Sequence, residues 1–229
     1  MKPSLGIQSL RNTLLGLFTS LVLVSPTASA TDDTQLWNWI ILNLWENDTH
    51  RLYTYMDNRV SDDMSEERLW LMSLRYKYKV NPNLQLGLGY TYLDSHNTTT
   101  DVWRDQQRLE FELNPSFKLD EWKLHFRNRL ELRFYQDSDE ASYRFRQRTQ
   151  LSRPIDLGCF DGFYTNIETF YMPDIDRINE FRTIPVGLGM PLGDQTKLNL
   201  FYMIQSQRDG TSSHWTHAHV LGTVLTYSF

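Results

Sequence analysis

The sequence has little cysteine and only one long apolar run. Cys159 is the single cysteine among 229 residues, which excludes a disulfide framework within the chain and a cysteine-based zinc cluster. The mean hydropathy of −0.50 excludes a bundle of membrane helices. Aromatic residues make up 14% of the chain and charged residues 22%, a composition that argues against disorder. The length fits one folded domain.

The one long apolar run lies in an N-terminal segment that predicts export. Lys2 and Arg11 supply positive charge, residues 14–24 are apolar, and Ala28-Ser29-Ala30 matches a small-residue cleavage site. The apolar run is too short for a membrane anchor. We therefore expect residues 1–30 to be a cleaved secretory signal peptide and residues 31–229 to form a single domain, exported in a Gram-negative bacterium.

The exported part of the chain is acidic. Without the signal peptide it holds 21 lysines and arginines against 28 aspartates and glutamates, a net charge of −7. A negative protein repels the phosphate backbone, so we expect no nucleic-acid partner.

Alternating apolar and polar residues predict long β-strands. Over 122–135 the apolar residues share one phase and the basic residues share the other, a period of two that fits a strand and not a helix. The flanking segments around 103–113 and 143–152 alternate in the same way. Similar runs occur at 36–46, 50–60, 67–80, 83–94, 161–172, 179–191, 195–207 and 216–229.

The connections between these runs alternate between short turns and longer polar loops, which is the layout of an outer-membrane barrel. A soluble β-sandwich would also alternate, with its apolar face inward. The strand lengths favour membrane crossing, as do aromatic residues near strand ends. These residues, expected at the membrane interfaces, are Trp37, Trp70, Tyr90, Tyr92, Trp103, Trp122 and Tyr227. The predicted fold is an all-β transmembrane antiparallel up-and-down barrel of about 10–12 strands, with the parity left open.

The C-terminus resembles an assembly signal. Tyr227 and the terminal Phe229 share one phase of the last predicted strand. Bacterial barrels carry such a terminal aromatic residue for recognition during assembly. The expected location is the bacterial outer membrane, and the expected partners are outer-membrane lipid, the barrel assembly machinery and periplasmic chaperones.

The charged phase must face the barrel lumen. Reversing the strand 122–135 would place four bases in lipid, each costing about 2–4 kcal/mol at mid-depth. The resulting lumen is rich in arginine, which pairs bidentately with carboxylates and phosphates. Arg–Glu ladders could simply fill a small barrel, or the excess of bases could form a pore or a ligand site for anions. The candidate lumen and anion-binding residues are Arg104, Arg108, Arg127, Arg129, Arg133, Arg144, Arg146, Arg148, Arg182, Glu110, Glu112, Glu131 and Glu168.

Several motifs in this order resemble a known family. They are Trp37 and Arg59 in the first strand pair, the run 86–90 (LGLGY), Arg127-x-Arg129-x-Glu131-x-Arg133, Arg144-x-Arg146-x-Arg148, Glu168 and the Phe229 terminus. The chain is similar to the domain of unknown function 2490 family of Gram-negative outer-membrane barrels. The resemblance implies a barrel and an outer-membrane address, and it implies no activity.

The expected function is passive: a narrow porin-like pore or a binding cavity for small anionic solutes, or a structural role in the envelope. We expect no cofactor, no metal and no catalytic residues. The alternative is an outer-membrane enzyme acting on lipid or cell-wall fragments. His217 and His219 raise that alternative because they follow the last long loop, although their phase points them away from the lumen.

Overall fold

The computed structural model describes residues 33–97, 100–208, 210 and 212–229. The predicted signal peptide lies outside the described residues. Within the described part, no helix is long and apolar enough to cross a membrane. The described residues form one turn of 3-10 helix, Pro173–Ile175, and eleven strands. The strands are β1 (Asp33–Glu46), β2 (His50–Ser61), β3 (Glu66–Asn81), β4 (Leu84–Asn97), β5 (Val102–Leu119), β6 (Trp122–Tyr135), β7 (Ser142–Leu157), β8 (Phe160–Met172), β9 (Arg177–Pro191), β10 (Thr196–Gln207) and β11 (Thr216–Ser228).

The described strands close into one barrel, in which consecutive strands pair antiparallel. At the closure β1 lies parallel to β11, with Asp33 beside Ala218 and Asn43 beside Ser228. An odd meander forces this geometry, because its first and last strands run in the same direction. The predicted barrel is confirmed with eleven strands, and its wall is mixed at this seam instead of antiparallel throughout.

Side chains reinforce the parallel seam. The Thr223 hydroxyl donates to Asn38 Oδ1 at 3.0 Å on the outer surface. Inside, Asn43 Nδ2 donates to Ser228 Oγ at 2.7 Å. Parallel strand pairs are slightly less stable per residue than antiparallel strand pairs. The two side-chain hydrogen bonds strengthen the barrel closure at this weaker pairing.

The two ends of the barrel differ in their connections. At the long-loop end, four to eight residues link consecutive strands, and β1 begins there. At the short-turn end, two to four residues link them, and β11 ends there. The first predicted strand is therefore a wall strand that starts at the opposite end from the C-terminus.

Alternation sets which face each side chain takes. On β6 the odd positions from Lys123 to Tyr135 point inward and the even positions point outward, as predicted. Large apolar side chains stay exposed on the outer surface of most strands, such as Leu74, Leu88, Phe111 and Leu221. These residues form an apolar belt around the barrel.

The interior is not charged throughout. An apolar cluster fills it beside the seam, formed by Trp37, Ile184, Phe201, Met203, Val220 and Val224. The prediction that Trp37 lies at a membrane interface is wrong, because this side chain points inward and is only 1% exposed. The strand 33–46 is apolar on both faces, so its outward phase could not be identified from polarity alone.

Two aromatic rings lie directly on glycines inside the barrel. A Cβ atom at Gly222 would sit 2.0 Å from the Phe201 ring, and one at Gly187 would sit 2.2 Å from the Tyr164 ring. β9 carries one extra residue opposite both neighbouring strands, near Pro185. A bulge tolerates proline because the ladder hydrogen bond is already interrupted there. The glycines and the bulge let large rings enter the narrow lumen.

Candidate functional site

Four glutamates and six bases form a buried ionic layer across the lumen. They come from β3, β5, β6, β7 and β8, whose alternation points them all inward. The ionic layer consists of Glu110, Glu112, Glu131, Glu168, Arg75, Lys77, Arg127, Arg129, Arg144 and Arg146. Eight of these were among the predicted lumen residues, and Arg75 and Lys77 join them.

Glu131 is the centre of the layer and is fully buried, with 0% exposure. Its Oε2 accepts Arg144 Nε at 2.7 Å, and its Oε1 accepts Arg146 Nη1 at 2.7 Å. Arg129 approaches the same Oε1 at 3.5 Å. One carboxylate thus joins three guanidiniums from β6 and β7, an arrangement in which charge-assisted hydrogen bonds offset the cost of burial.

Glu110 and Glu112 also bind Arg129. Glu112 Oε1 accepts Arg129 Nε at 2.7 Å, and Glu112 Oε2 accepts Lys77 Nζ at 2.6 Å. Glu110 Oε2 lies 2.8 Å from Arg75 and 3.1 Å from Arg129. These pairs extend the layer from β6 to β3. They pass over β4, whose inward Gly87 leaves room for the Glu112 side chain.

Glu168 extends the layer to β8. Its Oε1 accepts both Arg127 Nη2, at 2.6 Å, and Arg146 Nε, at 2.9 Å. Arg127 belongs to β6, so its side chain reaches past β7 to meet this carboxylate. A single oxygen therefore serves two arginines.

Aromatic rings join the ionic layer to the apolar cluster. The guanidinium of Arg182 lies 4.8 Å from the Trp37 ring and 4.5 Å from the Phe170 ring. Its Nε also donates to Glu180 at 2.6 Å. Phe170 is 0% exposed and contacts Arg146 as well, at 4.5 Å. Cation–π contacts thus bridge the two halves of the lumen.

Three of the predicted arginines form no ion pair with the described acids. Arg108 donates to Gln106, and Arg133 donates to the Ser142 hydroxyl at 2.6 Å. Arg148 Nε is buried without a hydrogen-bond partner. A fourth predicted residue, Arg104, is exposed at the long-loop end and pairs with Asp137. The interior therefore carries more positive than negative charge.

The basic residues of β6 and β7 face one another directly at two positions. Arg127 is the cross-strand partner of Arg148, and Arg129 is the partner of Arg146. Arg144 instead faces Glu131, which accounts for its strong pairing. Like charges directly opposite one another destabilise a sheet unless acids lie among them. Glu131 and Glu168 supply those acids.

Sequence reasoning missed a second buried pair on β2. Arg59 Nη2 lies 2.6 Å from Asp57 Oδ2, and its guanidinium stacks 3.7 Å over the Trp37 ring. The Tyr55 hydroxyl also donates to Asp57, at 3.1 Å. The signal that could have found this pair is the alternation of Tyr53, Tyr55, Asp57 and Arg59 along one phase of that strand.

The histidines of β11 lie outside the lumen, as their phase predicted. His217 Nδ1 is 2.9 Å from Ser206 Oγ, and His219 Nδ1 is 2.6 Å from the Tyr202 hydroxyl. Across the described ranges, no group of three or more histidine, cysteine, aspartate or glutamate side chains could hold a metal ion.

The fold and the site define a class of protein: a closed eleven-stranded barrel with a buried Arg–Glu salt-bridge network. The chain belongs to the family described as Protein of unknown function (DUF2490), whose model matches residues 34–216. This match confirms the family resemblance seen in the sequence. The chain is also similar to an uncharacterized protein of Methylorubrum extorquens, with 25% identity over 220 residues that cover 89% of this chain and 92% of that protein.

Proposed function

We propose that the protein is a bacterial outer-membrane β-barrel whose lumen is sealed against ions, and that it serves the envelope as a closed barrel with a small-anion cavity instead of a pore. The observation that carries this proposal is the burial of charged side chains at the middle of the lumen. Arg129 is only 2% exposed, and Glu131 is not exposed at all. Charged groups lining a water-filled pore would be in contact with water.

The outer surface supports the membrane location. The apolar belt runs around the wall, with exposed fractions of 51% for Leu74 on β3 and 47% for Phe111 on β5, and of 50% for Leu221 on β11. Soluble monomers rarely expose apolar area on this scale. Trp45, Trp70 and Trp103 are exposed near strand ends, as in the aromatic girdles of membrane barrels.

The interior supports the seal from two sides. The ionic layer fills the lumen on one side, and the apolar cluster fills it on the other. Arg182 contacts the Trp37 ring of the apolar cluster and the Phe170 ring, which in turn contacts Arg146 of the ionic layer, so the two regions are joined by direct contacts at this level. Small barrels of about eight strands are filled in this way, while those of sixteen or more hold a channel.

Fractionation tests the membrane location. We expect the protein in the outer-membrane fraction, and we expect its gel mobility in SDS to change on boiling, because a closed barrel satisfies its backbone hydrogen bonds internally and resists detergent. Recovery in the soluble periplasmic fraction without a mobility change would contradict the proposal.

Planar-bilayer recording tests the seal. We expect no single-channel conductance from the wild-type protein in potassium chloride. A variant that removes three side chains of the ionic layer, Arg129→Ala with Glu131→Ala and Arg146→Ala, should conduct and so shows that the barrel inserts. Steady wild-type conductance would contradict the seal.

A second candidate function, lipid hydrolysis, has one specific observation in its favour. Ser206 and His217 form a hydroxyl–imidazole contact of 2.9 Å on the outer surface near the long-loop end, where outer-leaflet lipid would be in reach. A hydrolase needs such a pair of nucleophile and base, together with a group that orients the base. In the part of the chain that the structure describes, no acid hydrogen-bonds to His217.

Fatty-acid release distinguishes this candidate. The purified protein is incubated with phospholipid vesicles and with lipopolysaccharide, and free fatty acids are measured by mass spectrometry. Hydrolysis would require both Ser206 and His217, so Ser206→Ala and His217→Asn should each abolish it while Ser213→Ala leaves it unchanged. We expect no release from the wild-type protein, in agreement with the closed-barrel proposal.

A further inference from the structure

The ionic layer has a water-accessible face toward the short-turn end, and that face is positive. On β6, β7 and β8 the inward positions from the cross-strand row beside Glu168 to the row of Lys123, Ser152 and Tyr164 carry basic, amide, hydroxyl and imidazole groups but no acid. They are Lys123, His125, Arg127, Arg148, Gln150, Ser152, Tyr164 and Asn166. We call this group the cationic vestibule. Unlike Arg129 and Glu131, Arg127 and Arg148 are only partly buried, so solutes can approach them.

Two guanidiniums stand side by side at the inner end of the vestibule. Arg127 and Arg148 are direct cross-strand partners, which places their Cα atoms about 4.5–5.5 Å apart. Glu168 is the cross-strand partner of Arg148 on its other side. This carboxylate would be expected to neutralise Arg148, but it does not.

Glu168 does not neutralise Arg148 because it already binds two other arginines. Its Oε1 accepts Arg127 and Arg146, and both of these contacts are shorter than 3.0 Å. Arg148 forms no ion pair with the described acids. The Nε atoms of Arg127 and Arg148 are both buried without a hydrogen-bond partner among the described residues. Each of these two arginines thus keeps one buried Nε–H donor that no described residue accepts.

Two acids near the short turns are paired with other bases. Asp161 pairs with Lys197 and Glu121 pairs with Arg153, and all four side chains are substantially exposed at the barrel rim. Glu168 compensates Arg127, so Arg148 is the guanidinium that stands beside another cation without an acid of its own, which is unfavourable unless a further anion binds there.

We propose that the cationic vestibule binds a small tetrahedral oxyanion of the phosphate class between Arg127 and Arg148. The site rests on the closed barrel proposed above, since it lies on one face of the seal. Guanidinium forks match the spacing of phosphate oxygens and can bind them bidentately. The Gln150 amide lies on the same inner wall, two residues along β7 from Arg148, and offers a further donor.

The test uses inorganic phosphate and the full mature protein, purified in detergent at constant ionic strength. Phosphate should raise the thermal unfolding temperature in a saturable way, while the same ionic strength of chloride should not. Isothermal titration gives the affinity independently. Absence of a saturable phosphate effect would overturn the proposal.

Arg148→Gln is the decisive variant because it removes a guanidinium that forms no ion pair. We expect it to weaken phosphate binding at least tenfold while leaving the fold intact. Arg148→Lys should recover part of the loss, since it restores charge without the fork. Arg104→Gln is the matched control, because that exposed arginine lies at the other end of the barrel.

The outcomes separate this site from the proposed seal. Unchanged affinity in Arg148→Gln, or an equal loss in Arg104→Gln, would show a general charge effect and overturn the site. Conductance recorded on the same preparation reports on the seal alone. A conducting barrel that still loses phosphate binding in Arg148→Gln would refute the seal and keep the site.

Discussion

The two sides of the lumen solve the same packing problem with different chemistry. Strands β3 and β5 to β8 fill it with the ionic layer, whereas β1, β9, β10 and β11 fill it with the apolar cluster. The apolar side needs complementary shape and little else. The ionic layer depends on the pairing of its charges, because removing one partner of a buried ion pair costs several kcal/mol. The comparison predicts that the two sides respond differently to substitutions that conserve volume.

The largest effect is expected at the centre of the ionic layer. Glu131→Gln keeps the side-chain size but removes the charge that three arginines share. We expect a loss of about 3–5 kcal/mol in the free energy of unfolding, since the guanidiniums of Arg144 and Arg146 are left buried without compensation. Urea titration of the protein in detergent measures it.

Two further variants sharpen this expectation. Adding Arg144→Gln to Glu131→Gln should restore part of the stability, because one of the uncompensated charges is removed with it. Glu140→Gln, in an exposed loop, should change stability by less than about 0.5 kcal/mol. A Glu131→Gln protein as stable as the Glu140→Gln control would show that the network does not stabilise the barrel.

The apolar side should tolerate a volume-conserving change that the ionic side does not. Met203 is 1% exposed within the apolar cluster. Met203→Leu should cost less than about 1.5 kcal/mol, whereas Met203→Ala should cost about 2–4 kcal/mol through the cavity it leaves. The same urea titration compares the two. If Met203→Leu destabilised as strongly as Glu131→Gln, the distinction between the two sides would be wrong.

A smaller effect is expected where a ring lies on a glycine. Gly222→Ala would place a methyl group against the Phe201 ring, and we expect a loss of about 1–3 kcal/mol from overpacking. Phe201→Leu in the same protein should recover part of that loss. Gly162→Ala is the control, since its added Cβ would meet Lys197 Nζ at an ordinary 3.8 Å. Equal thermal shifts for the two alanine variants would contradict this packing argument.

The contrast between the two sides also explains which parts of the structure the sequence could predict. On β6 the bases and apolar residues separate cleanly by phase, so the pattern predicted the strand and its inward arginines. On β1 both phases are largely apolar. The pattern therefore predicted a strand but misplaced Trp37. When both faces of a strand are apolar, hydrophobicity does not indicate which side chains point into the barrel.

The ion pairs within the site were harder to predict from the sequence than the residues that form the site. Alternation placed Arg148 in the lumen, and the hairpin placed it opposite Arg127. Arg127 reaches past β7 to Glu168, and this contact leaves Arg148 without an acid. The pairing depends on how far side chains extend across three strands. The parallel seam likewise depends on barrel closure, which no local pattern reports.

The smallest effect on stability is expected at the C-terminus, where the assembly signal was predicted. Phe229 is 76% exposed, and its ring contacts Tyr227 edge-on with centroids 5.0 Å apart. Because so little of the side chain is buried, deleting Phe229 should change the unfolding free energy of the purified barrel by less than about 1 kcal/mol. In cells the same deletion should lower the amount of assembled protein and raise its degradation in the periplasm, while Phe229→Trp should preserve assembly. A deletion that left assembled levels unchanged would remove the assembly role, and one that greatly destabilised the purified barrel would instead assign Phe229 to the wall.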